Sequence, residues 1–335
     1  MDTAYVARYC FSVHIFTNIQ VAMFITTLRT IEWSFLEKPL RRTDPPGSRG
    51  VYKDAADLLS NMRGLGWDWS RGLYVPRDTR PTRSRLAFVL STLVLFLRDL
   101  FIFDFCHYAV QLFSPDTFGS TKGGSIIDPS LPPVARYARS TTITLLSAVV
   151  IYFSLTMMYN FTTLLAFLLS GLREDPAAWP PISEAPWRAT SIADFWARRW
   201  HQTFRRPFIV IGGYPARKVF GKLGGVLGVF ALSGVLHDWS IWGMGRGTDF
   251  SRLGGFFVLN GVGVILEQVW LRLTGKKVGG WTGWTWTMVY IMVTGHLLID
   301  GWLRRGLAGS LLIPPQFRIG KKFLEALGYH IEQPY

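Results

Sequence analysis

The sequence predicts an all-α fold, a polytopic bundle of transmembrane helices, and two observations support this prediction. Of the 335 residues, 49% are hydrophobic and 15% are aromatic, whereas only 17% are charged. The apolar residues gather into long runs that are separated by basic connectors. A soluble α/β chain would instead show short apolar runs that alternate with polar segments. We therefore predict a single membrane domain over residues 1–335.

Each membrane-spanning helix needs about 20 mostly apolar residues to cross the hydrocarbon layer. On this criterion we predict six spans, at about 8–28, 86–113, 141–171, 224–243, 254–274 and 281–302. The first is the weakest, since Arg8, His14, Asn18 and Gln20 interrupt it. It lacks a basic start and a small-residue cleavage site, so we expect a retained span and not a removed signal peptide.

The distribution of lysine and arginine predicts which connectors face the cytosol. Residues 29–85 carry twelve of them and residues 172–223 carry nine, against three in 114–140 and two in 244–253. We therefore expect 29–85 and 172–223 to be cytosolic, in a multi-pass protein of the endoplasmic reticulum. The basic C-terminal tail breaks this pattern, because an even number of spans would make it luminal. Either a span is missing from the set, or the apolar patch around 307–313 re-enters the membrane.

The formal net charge of +14 has an ordinary explanation in a membrane protein. Membrane lipids are the expected partner, because anionic headgroups attract each basic side chain near the surface by about 1 kcal/mol. No soluble nucleic-acid-binding module accompanies the charge, so we do not expect nucleic acid as a partner. Cys10 and Cys106 lie in predicted spans and offer neither a disulfide framework nor metal-ligand spacing, so we expect no metal site.

The stretch FWARRWHQTFRR, residues 195–206, places four arginines and one histidine between aromatic side chains. Ser191 and Asp194 resemble a capping box, so we predict a helix over 192–205 that lies in the membrane interface. The helical period predicts two stripes, one of Asp194, Arg198, His201 and Arg205 and one of Trp196, Trp200 and Phe204. Pro207 is expected to end the helix. A plain amphipathic surface helix would show the same pattern.

A second stretch, FALSGVLHDWSIWG at residues 230–243, is apolar up to His237. Ionisable groups inside a span are costly and usually face the bundle interior or a wet cavity. A structural core histidine is the ordinary alternative, but hydrocarbon offers no water to satisfy a second ring nitrogen. His107 and His296 also lie in predicted spans, so position alone does not single out His237.

These two motifs together resemble the membrane-bound O-acyltransferases, and specifically their wax-synthase-like branch. Phe-Trp-x-Arg-Arg-Trp-His is followed, 36 residues after its histidine, by the histidine of Ser-Gly-x-x-His in an apolar span. NMRGLGWDW at residues 61–69 resembles the Arg-Gly-Ile-Gly-Trp element of that branch. The resemblance implies that His237 is the catalytic residue and that His201 stands where the superfamily usually has asparagine. It also implies a bundle that encloses a tunnel, with the 192–205 helix near its cytosolic mouth.

The resemblance further implies transfer of an acyl group from acyl-CoA to the hydroxyl of a hydrophobic alcohol. His237 would act as general base and His201 would hold the thioester carbonyl or the developing oxyanion. The residues expected to bind substrate, the arginines through the phosphates of coenzyme A, are Trp200, Arg198, Arg199, Arg205 and Arg206. No tightly bound cofactor is expected, because the acyl-CoA is a co-substrate.

Short members of this branch from fungal biosynthetic pathways acetylate terpenoid or meroterpenoid hydroxyls. The resemblance therefore favours acetyl-CoA as donor and a secondary metabolite as acceptor. A long-chain wax-ester or sterol-ester acyltransferase would use the same motifs, so that alternative stays open. A transporter with a histidine proton relay is a second alternative, but the sequence lacks the paired, Gly/Pro-interrupted short spans typical of transporters.

Overall fold

The computed structural model describes residues 20–44, 46–310 and 312–331. The longer helices are α1 (20–34), α2 (Val51–Ser60), α3 (Arg85–Leu112), α4 (Pro133–Leu169), α5 (Tyr214–Gly243), α6 (Phe250–Thr274), α7 (Gly280–Arg304) and α8 (Ile319–Ala326). Short helical turns lie at Asp68–Ser70, Pro176–Ala178, Pro186–Arg188, Ile192–Asp194, Phe195–Arg199, Arg205–Pro207, Phe208–Gly213, Leu307–Gly309 and Pro315–Phe317. The described residues form no strand beyond two isolated bridges. The predicted all-α class is confirmed.

Four of the helices in the described part of the chain are long and apolar enough to cross a membrane: Arg85–Leu112, Pro133–Leu169, Arg205–Gly243 and Phe250–Thr274. Helix α7, at the predicted span 281–302, is 25 residues long. It is less apolar because its first half, GWTGWTWT, alternates tryptophan with glycine and threonine. Of the predicted span 8–28, residues 8–19 lie outside the described residues, and 20–28 belong to α1.

The long helices pack as an antiparallel bundle. Phe88 at the start of α3 lies against Phe167 at the end of α4, with ring centroids 5.3 Å apart. Asn260 of α6 donates to Thr294 Oγ1 of α7 at 3.3 Å. The bundle therefore has two ends. The motif end holds residues 29–85 and 172–191, and the anchor end holds residues 113–132, 244–249 and 305–331.

The stretch 205–243, which ends in α5, folds back on itself at Gly221, so that residues 205–220 lie against residues 222–243. Residues Arg205–Gly243 form one apolar stretch of 39 residues, but Gly221 has φ 68° and ψ −162° and reverses the chain. A Cβ on Gly212 would lie 2.5 Å from the Gly228 carbonyl oxygen, and one on Gly225 would lie 3.0 Å from Arg217 Cβ. The two arms therefore run antiparallel at a separation that only glycine permits.

The fold-back at Gly221 forms a helical hairpin whose first arm is residues 205–220. It determines how deep in the bundle this arm starts. Phe208 packs in one apolar cluster with Leu236 of α5 and with Ile25 and Leu28 of α1. Leu236 precedes His237, well inside the bundle. Arg205 therefore starts the arm inside the bundle, and the arm leaves toward the turn at Gly221 on the motif end.

The C-terminal tail turns back along α3 at the anchor end. Ile313 packs against Phe103 of α3 and Met157 of α4. Arg318 Nε donates to Asp104 Oδ1 at 2.7 Å, and Lys321 N donates to Asp104 Oδ2 at 2.9 Å. These contacts fix the tail to the bundle, and both explanations for its basic charge stay predictions.

Candidate active site

The FWARRWHQTFRR segment begins at the helix cap that its sequence predicts. Ser191 is extended and its Oγ accepts a hydrogen bond from Asp194 N at 2.9 Å, which confirms the N-cap. Glu267 of α6 adds a second cap, because its carboxylate accepts from Ile192 N at 2.6 Å and from Ala193 N at 3.0 Å. A buried carboxylate on the next helix thus ties this segment to the bundle.

The single helix predicted over 192–205 is wrong. The first turn widens over Phe195–Arg199, where Trp200 N donates to Phe195 O at 2.8 Å, and Trp200 is then extended with φ −75° and ψ 157°. The buried amide Gln202 Nε2 donates to Trp196 O at 2.8 Å and to Trp200 O at 3.0 Å. The side chain supplies donors that a continuing helix would have supplied from its backbone, so the helix stops at Arg199.

The predicted role of Pro207 is also wrong. The helix resumes at Arg205, and Pro207 lies in its first turn. A missing backbone N–H costs nothing there, because first-turn N–H groups have no partner within the helix. His201 and Arg205 therefore do not share a helical stripe with Asp194 and Arg198.

The segment enters the bundle instead of lying across the interface. Trp196 Nε1 donates to Asn260 Oδ1, near the middle of α6, at 2.9 Å. The Trp196 ring also contacts the rings of Phe230 on α5 and Phe256 on α6, at centroid distances of 5.8 and 6.1 Å. Residues 192–220 therefore form a re-entrant segment, which descends from the motif end, turns near His201 and returns. The predicted interfacial position is corrected by these contacts.

His237 of α5 presents one ring nitrogen for chemistry. Its Nδ1 lies 2.7 Å from the Ser233 carbonyl oxygen, and because a carbonyl only accepts, Nδ1 carries the proton. Nε2 then has a free lone pair, and no hydrogen-bond partner for it occurs in the described part of the chain. The ring stacks on Phe257 of α6 at 4.3 Å. Asp238 accepts from Asp249 N at 2.5 Å, so it does not orient the imidazole.

The other intramembrane histidines differ from His237 in their surroundings. His296 has the same Nδ1 contact, with Met292 O at 2.9 Å, but its Nε2 lies 3.3 Å from Thr141 Oγ1. His107 is buried and its ring stacks on Phe103 at 5.5 Å. Hydrogen bonding therefore distinguishes His237 from His296, which position in the sequence did not.

His201 is the second open imidazole of the segment. Its ring lies between Trp200 and Phe204, at centroid distances of 5.5 and 6.1 Å. Nδ1 is buried, and neither ring nitrogen has a hydrogen-bond partner among the residues that the structure describes. His201 lies close enough to His237 for the two imidazoles to interact electrostatically.

Two of the four arginines in the segment are held by carboxylates. Arg199 Nε lies 2.6 Å from Asp194 Oδ2, and Arg206 Nε lies 2.5 Å from Glu32 Oε1 of α1. These pairs stabilise the turn and join it to α1. Their charge is largely neutralised before any ligand binds.

The other two arginines keep an uncompensated charge. Arg198 is exposed and its guanidinium lies 4.6 Å from the centroid of the Tyr74 ring. Arg205 is half-buried, and its guanidinium has neither a hydrogen bond nor a carboxylate partner in the described ranges. Of the predicted phosphate ligands, Arg205 is thus the one that is both partly buried and free.

Two adjoining cavities lie between α1, residues 62–73 and the re-entrant segment. One has a volume of about 10 Å³ and is lined by Arg29, Glu32, Trp33, Thr203 and Pro207 among others. The second also has a volume of about 10 Å³ and is lined by Arg63, Ser70, Leu73, Gln202 and Arg205 among others. Met62, Trp69 and Arg206 line both, and we call the pair the arginine pocket. The longer tunnel expected from the resemblance stays a prediction.

The NMRGLGWDW element at residues 61–69 contributes Met62, Arg63 and Trp69 to the lining of this pocket. Arg63 donates to the carbonyl oxygens of Pro180 and Pro181 at 2.7 and 2.8 Å, so the element is fixed to the loop that precedes the re-entrant segment. Trp69 is buried against Gly64, where φ is +70° and a Cβ would lie 2.5 Å from the indole ring. The element therefore positions Trp69 next to the segment that carries His201.

Sequence reasoning missed several residues that build the site. Asn260 and Glu267 hold the descending part of the segment, Gln202 shapes its turn, and the Ser233 carbonyl fixes the tautomer of His237. A usable signal existed for Asn260 and Glu267, because both are polar residues inside an apolar span. No local pattern marks a backbone carbonyl or the amide of Gln202.

The re-entrant segment that carries His201 and the neighbouring helix that carries His237 form the candidate site of this helical bundle. The profile of the membrane bound O-acyl transferase family matches residues 179–259, which include both histidines. The resemblance inferred from the motifs is therefore confirmed as a similarity to this family over residues 179–259.

Relatives extend this match along the chain. An acetyltransferase of Rhodocybe pseudopiperita is 29% identical over 84% of this chain and 73% of its own length. An O-mevalon transferase of Aspergillus niger is 26% identical over 67% of this chain and 55% of its own length. A long-chain-alcohol O-fatty-acyltransferase of Simmondsia chinensis is 30% identical over 37% of each chain. The chain thus spans about three quarters of the first of these relatives and about half of the second.

Proposed function

We propose that this chain transfers an acetyl group from acetyl-CoA to a hydroxyl of a lipophilic, terpenoid or meroterpenoid biosynthetic intermediate. The observation that carries the proposal is the free Nε2 of His237, whose proton is held on Nδ1 by the Ser233 carbonyl. An imidazole in this tautomer, inside an apolar bundle, is set up to accept a proton from an alcohol. The acetyltransferase relative, with its 84% coverage of this chain, supports the acetyl donor.

The reaction proceeds by direct attack of the alcohol on the thioester. The hydroxyl oxygen forms a bond to the acetyl carbonyl carbon while His237 Nε2 takes the hydroxyl proton. The tetrahedral intermediate collapses, the carbon–sulfur bond breaks, and the proton passes from His237 to the departing thiolate. The products are an ester and coenzyme A. General-base assistance of this kind contributes about 10²–10⁴-fold to a rate.

His201 serves as the hydrogen-bond donor to the carbonyl oxygen, on which negative charge develops. In the neutral imidazole one ring nitrogen carries a proton, so His201 can donate this hydrogen bond without bearing a charge. Trp200 precedes it and stacks on Phe195 with ring centroids 5.6 Å apart. In this proposal Trp200 forms an apolar wall for the bound substrate.

The arginines receive the polar part of the donor. Arg205 and Arg198, which have no carboxylate partner among the described residues, bind the phosphates of coenzyme A. Arg199 and Arg206 hold the turn and contribute residual positive potential. Acetyl-CoA arrives from the cytosol, the acceptor arrives from the lipid of the endoplasmic reticulum, and no tightly bound cofactor takes part.

A long-chain acyl-CoA:alcohol acyltransferase is the second candidate. It is favoured by the 30% identity with the Simmondsia chinensis relative, whose name specifies a long-chain alcohol and a fatty acyl group. The catalytic residues and the chemistry would be unchanged. Only the space available to the acyl chain would differ.

One experiment separates these candidates. Microsomes that contain the chain are incubated with acetyl-CoA or palmitoyl-CoA and with terpenoid alcohols, sterols and fatty alcohols, and esters are identified by mass. We expect acetylation of a polycyclic terpenoid hydroxyl, lost in His237→Ala and kept in His296→Ala. Preference for palmitoyl-CoA with a long-chain alcohol would assign the second candidate. Absence of any ester from folded protein would refute both and return a non-enzymatic transporter to consideration.

A further inference from the structure

The tip of the helical hairpin, residues 214–223, is a surface that combines exposed apolar side chains with basic ones. Val219 and Phe220 are 73% and 74% exposed, and Tyr214 is 54% exposed. The exposed basic residues beside them are Arg217, Lys218 and Lys222. A surface of this mixed kind suits neither water nor hydrocarbon alone, and it is typical of segments that lie at a membrane interface.

The positive charge of the tip is not compensated by the chain itself. Residues 195–237 contain no aspartate and no glutamate. Within the described ranges, the side chains of Arg217, Lys218 and Lys222 have no carboxylate partner and no hydrogen bond. The tip therefore offers three cationic groups to an anionic partner outside the chain.

Packing of the second arm against α6 shows how far the tip reaches. A Cβ on Gly234 would lie 2.7 Å from Gly254 Cα, and a Cβ on Gly261 would lie 3.3 Å from Leu227 Cδ2. The second arm and α6 therefore run antiparallel in close contact. Because Lys222 precedes Leu227 by five residues, it lies level with the residue five positions after Gly261.

This level lies inside the membrane. The residue of α6 at that position is Leu266, which is 47% exposed, and α6 continues for about 12 Å beyond it to Thr274. The whole of α6, 25 residues, is about 37 Å long, whereas the hydrocarbon layer is about 30 Å thick. A centred α6 thus leaves the hydrocarbon by less than one turn at each end. The hairpin tip, which stops about two turns before α6 ends, lies within the leaflet.

The side chains of the tip suit this position. Lysine and arginine carry their charge at the end of a long apolar stem, so the stem can lie along acyl chains while the charge reaches the headgroups. Val219 and Phe220 have no charged group to place, and acyl chains cover them as water would not. Each basic residue near an anionic membrane surface is attracted to it.

We propose that the hairpin tip is a lipid-binding surface inserted in the leaflet at the motif end. Val219 and Phe220 lie among the acyl chains, and Arg217, Lys218 and Lys222 bind the phosphates of anionic phospholipids. The tip is the far end of the first arm, which starts inside the bundle. Its lipid contacts are therefore separate from the candidate active site, and their test needs no substrate and no turnover.

A fluorescent probe measures the depth of the tip. The probe is attached at Phe220→Cys, with Cys10→Ser and Cys106→Ser, in protein reconstituted into nanodiscs of phosphatidylcholine and phosphatidylserine. The control is Arg77→Cys, an exposed position in the polar loop RDTRPTRSR at the same end. We expect spin-labelled lipid to quench the probe at Phe220→Cys, and aqueous acrylamide to quench the probe at Arg77→Cys. Equal quenching of both probes by acrylamide would overturn insertion of the tip.

A second measurement tests the headgroup. Quenching of the Phe220→Cys probe by spin-labelled phosphatidylserine is compared with quenching by spin-labelled phosphatidylcholine at equal mole fraction. We expect a preference for phosphatidylserine that falls at least about fivefold in Lys218→Gln/Lys222→Gln, the contribution of one basic side chain near an anionic surface. Arg77→Gln/Arg83→Gln removes the same charge from an exposed loop of the same end and should keep the preference. No loss in the lysine variant, or an equal loss in both variants, would overturn the lipid-binding surface.

Discussion

The two ends of the bundle both carry clusters of arginine, yet they use them differently. At the anchor end, Arg304 lies 2.6 Å from Asp300 and Arg318 lies 2.7 Å from Asp104. Asp300 also accepts hydrogen bonds from Ser125 Oγ and Ile126 N at 2.8 and 3.0 Å. These contacts tie the loop after α3 and the C-terminal tail to the bundle.

The re-entrant segment of the motif end is only partly paired. Arg199 and Arg206 are held by carboxylates, whereas the guanidinium of Arg205, the His201 ring and the Nε2 of His237 have no hydrogen-bond partner among the described residues, and Gln202 Oε1 is buried and unpaired. Satisfied polar groups stabilise a structure, whereas unsatisfied ones cost free energy and persist where a ligand or a reaction uses them. The comparison shows that the anchor end and the re-entrant segment differ in how many of their polar groups have partners, and not in how much charge they carry.

The strongest test of this contrast compares two histidines. His237→Ala should reduce acyl transfer by about 10²–10⁴-fold, because it removes the general base. His296→Ala, which replaces an imidazole with contacts at both ring nitrogens, should keep near wild-type turnover while losing some thermal stability. Both variants are measured in microsomes by ester formation per folded protein. The reverse ranking would assign the chemistry to α7.

The next largest effect on activity is expected from substitution of His201. His201→Ala should lower kcat by about 10²-fold, the usual cost of one donor to a developing oxyanion. His201→Asn should keep more activity, since an amide still donates a hydrogen bond. Equal losses in both variants would show that His201 acts as an acid or base. Full activity in both would remove it from the site.

At the anchor end the expected loss is in stability. Asp104→Ala leaves the buried Arg318 unpaired and exposes the N–H of Lys321 to an empty site. Breaking one partner of a buried pair costs about 3–5 kcal/mol. We expect a lower thermal midpoint in detergent and an unchanged KM for the acyl donor in protein that remains folded. A change in KM at constant stability would contradict the division between the two ends.

A smaller effect is expected where α6 holds the re-entrant segment. Asn260→Ala removes the acceptor of Trp196 Nε1 and should lower kcat about tenfold by loosening the position of His201. The effects of Asn260→Ala and Trp196→Phe should not add, because each breaks the same hydrogen bond. Additive losses in the double-mutant cycle would show that the bond does not position the site.

Much of this protein was readable from its sequence, for a physical reason. Long apolar runs and basic connectors predict an all-α membrane bundle, because hydrocarbon accepts only backbones that satisfy their own hydrogen bonds. The motifs gave the resemblance to the acyltransferase family and pointed to both candidate histidines. The cap at Ser191 was also correct, because an N-cap depends on residues within one turn.

Other features were decided only by the tertiary structure. The helix break at Trp200 follows from a side-chain amide, Gln202, that satisfies nearby carbonyls, and the reversal at Gly221 follows from the close packing of Gly212 on Gly228. Which arginines are free depends on Glu32, 174 residues away from Arg206. The periodicity of a short stretch of sequence does not reveal which partners from distant parts of the chain will contact it. Composition therefore determined the class of fold, and the motifs pointed to the candidate histidines. Contacts across the bundle decided which polar groups were left unpaired.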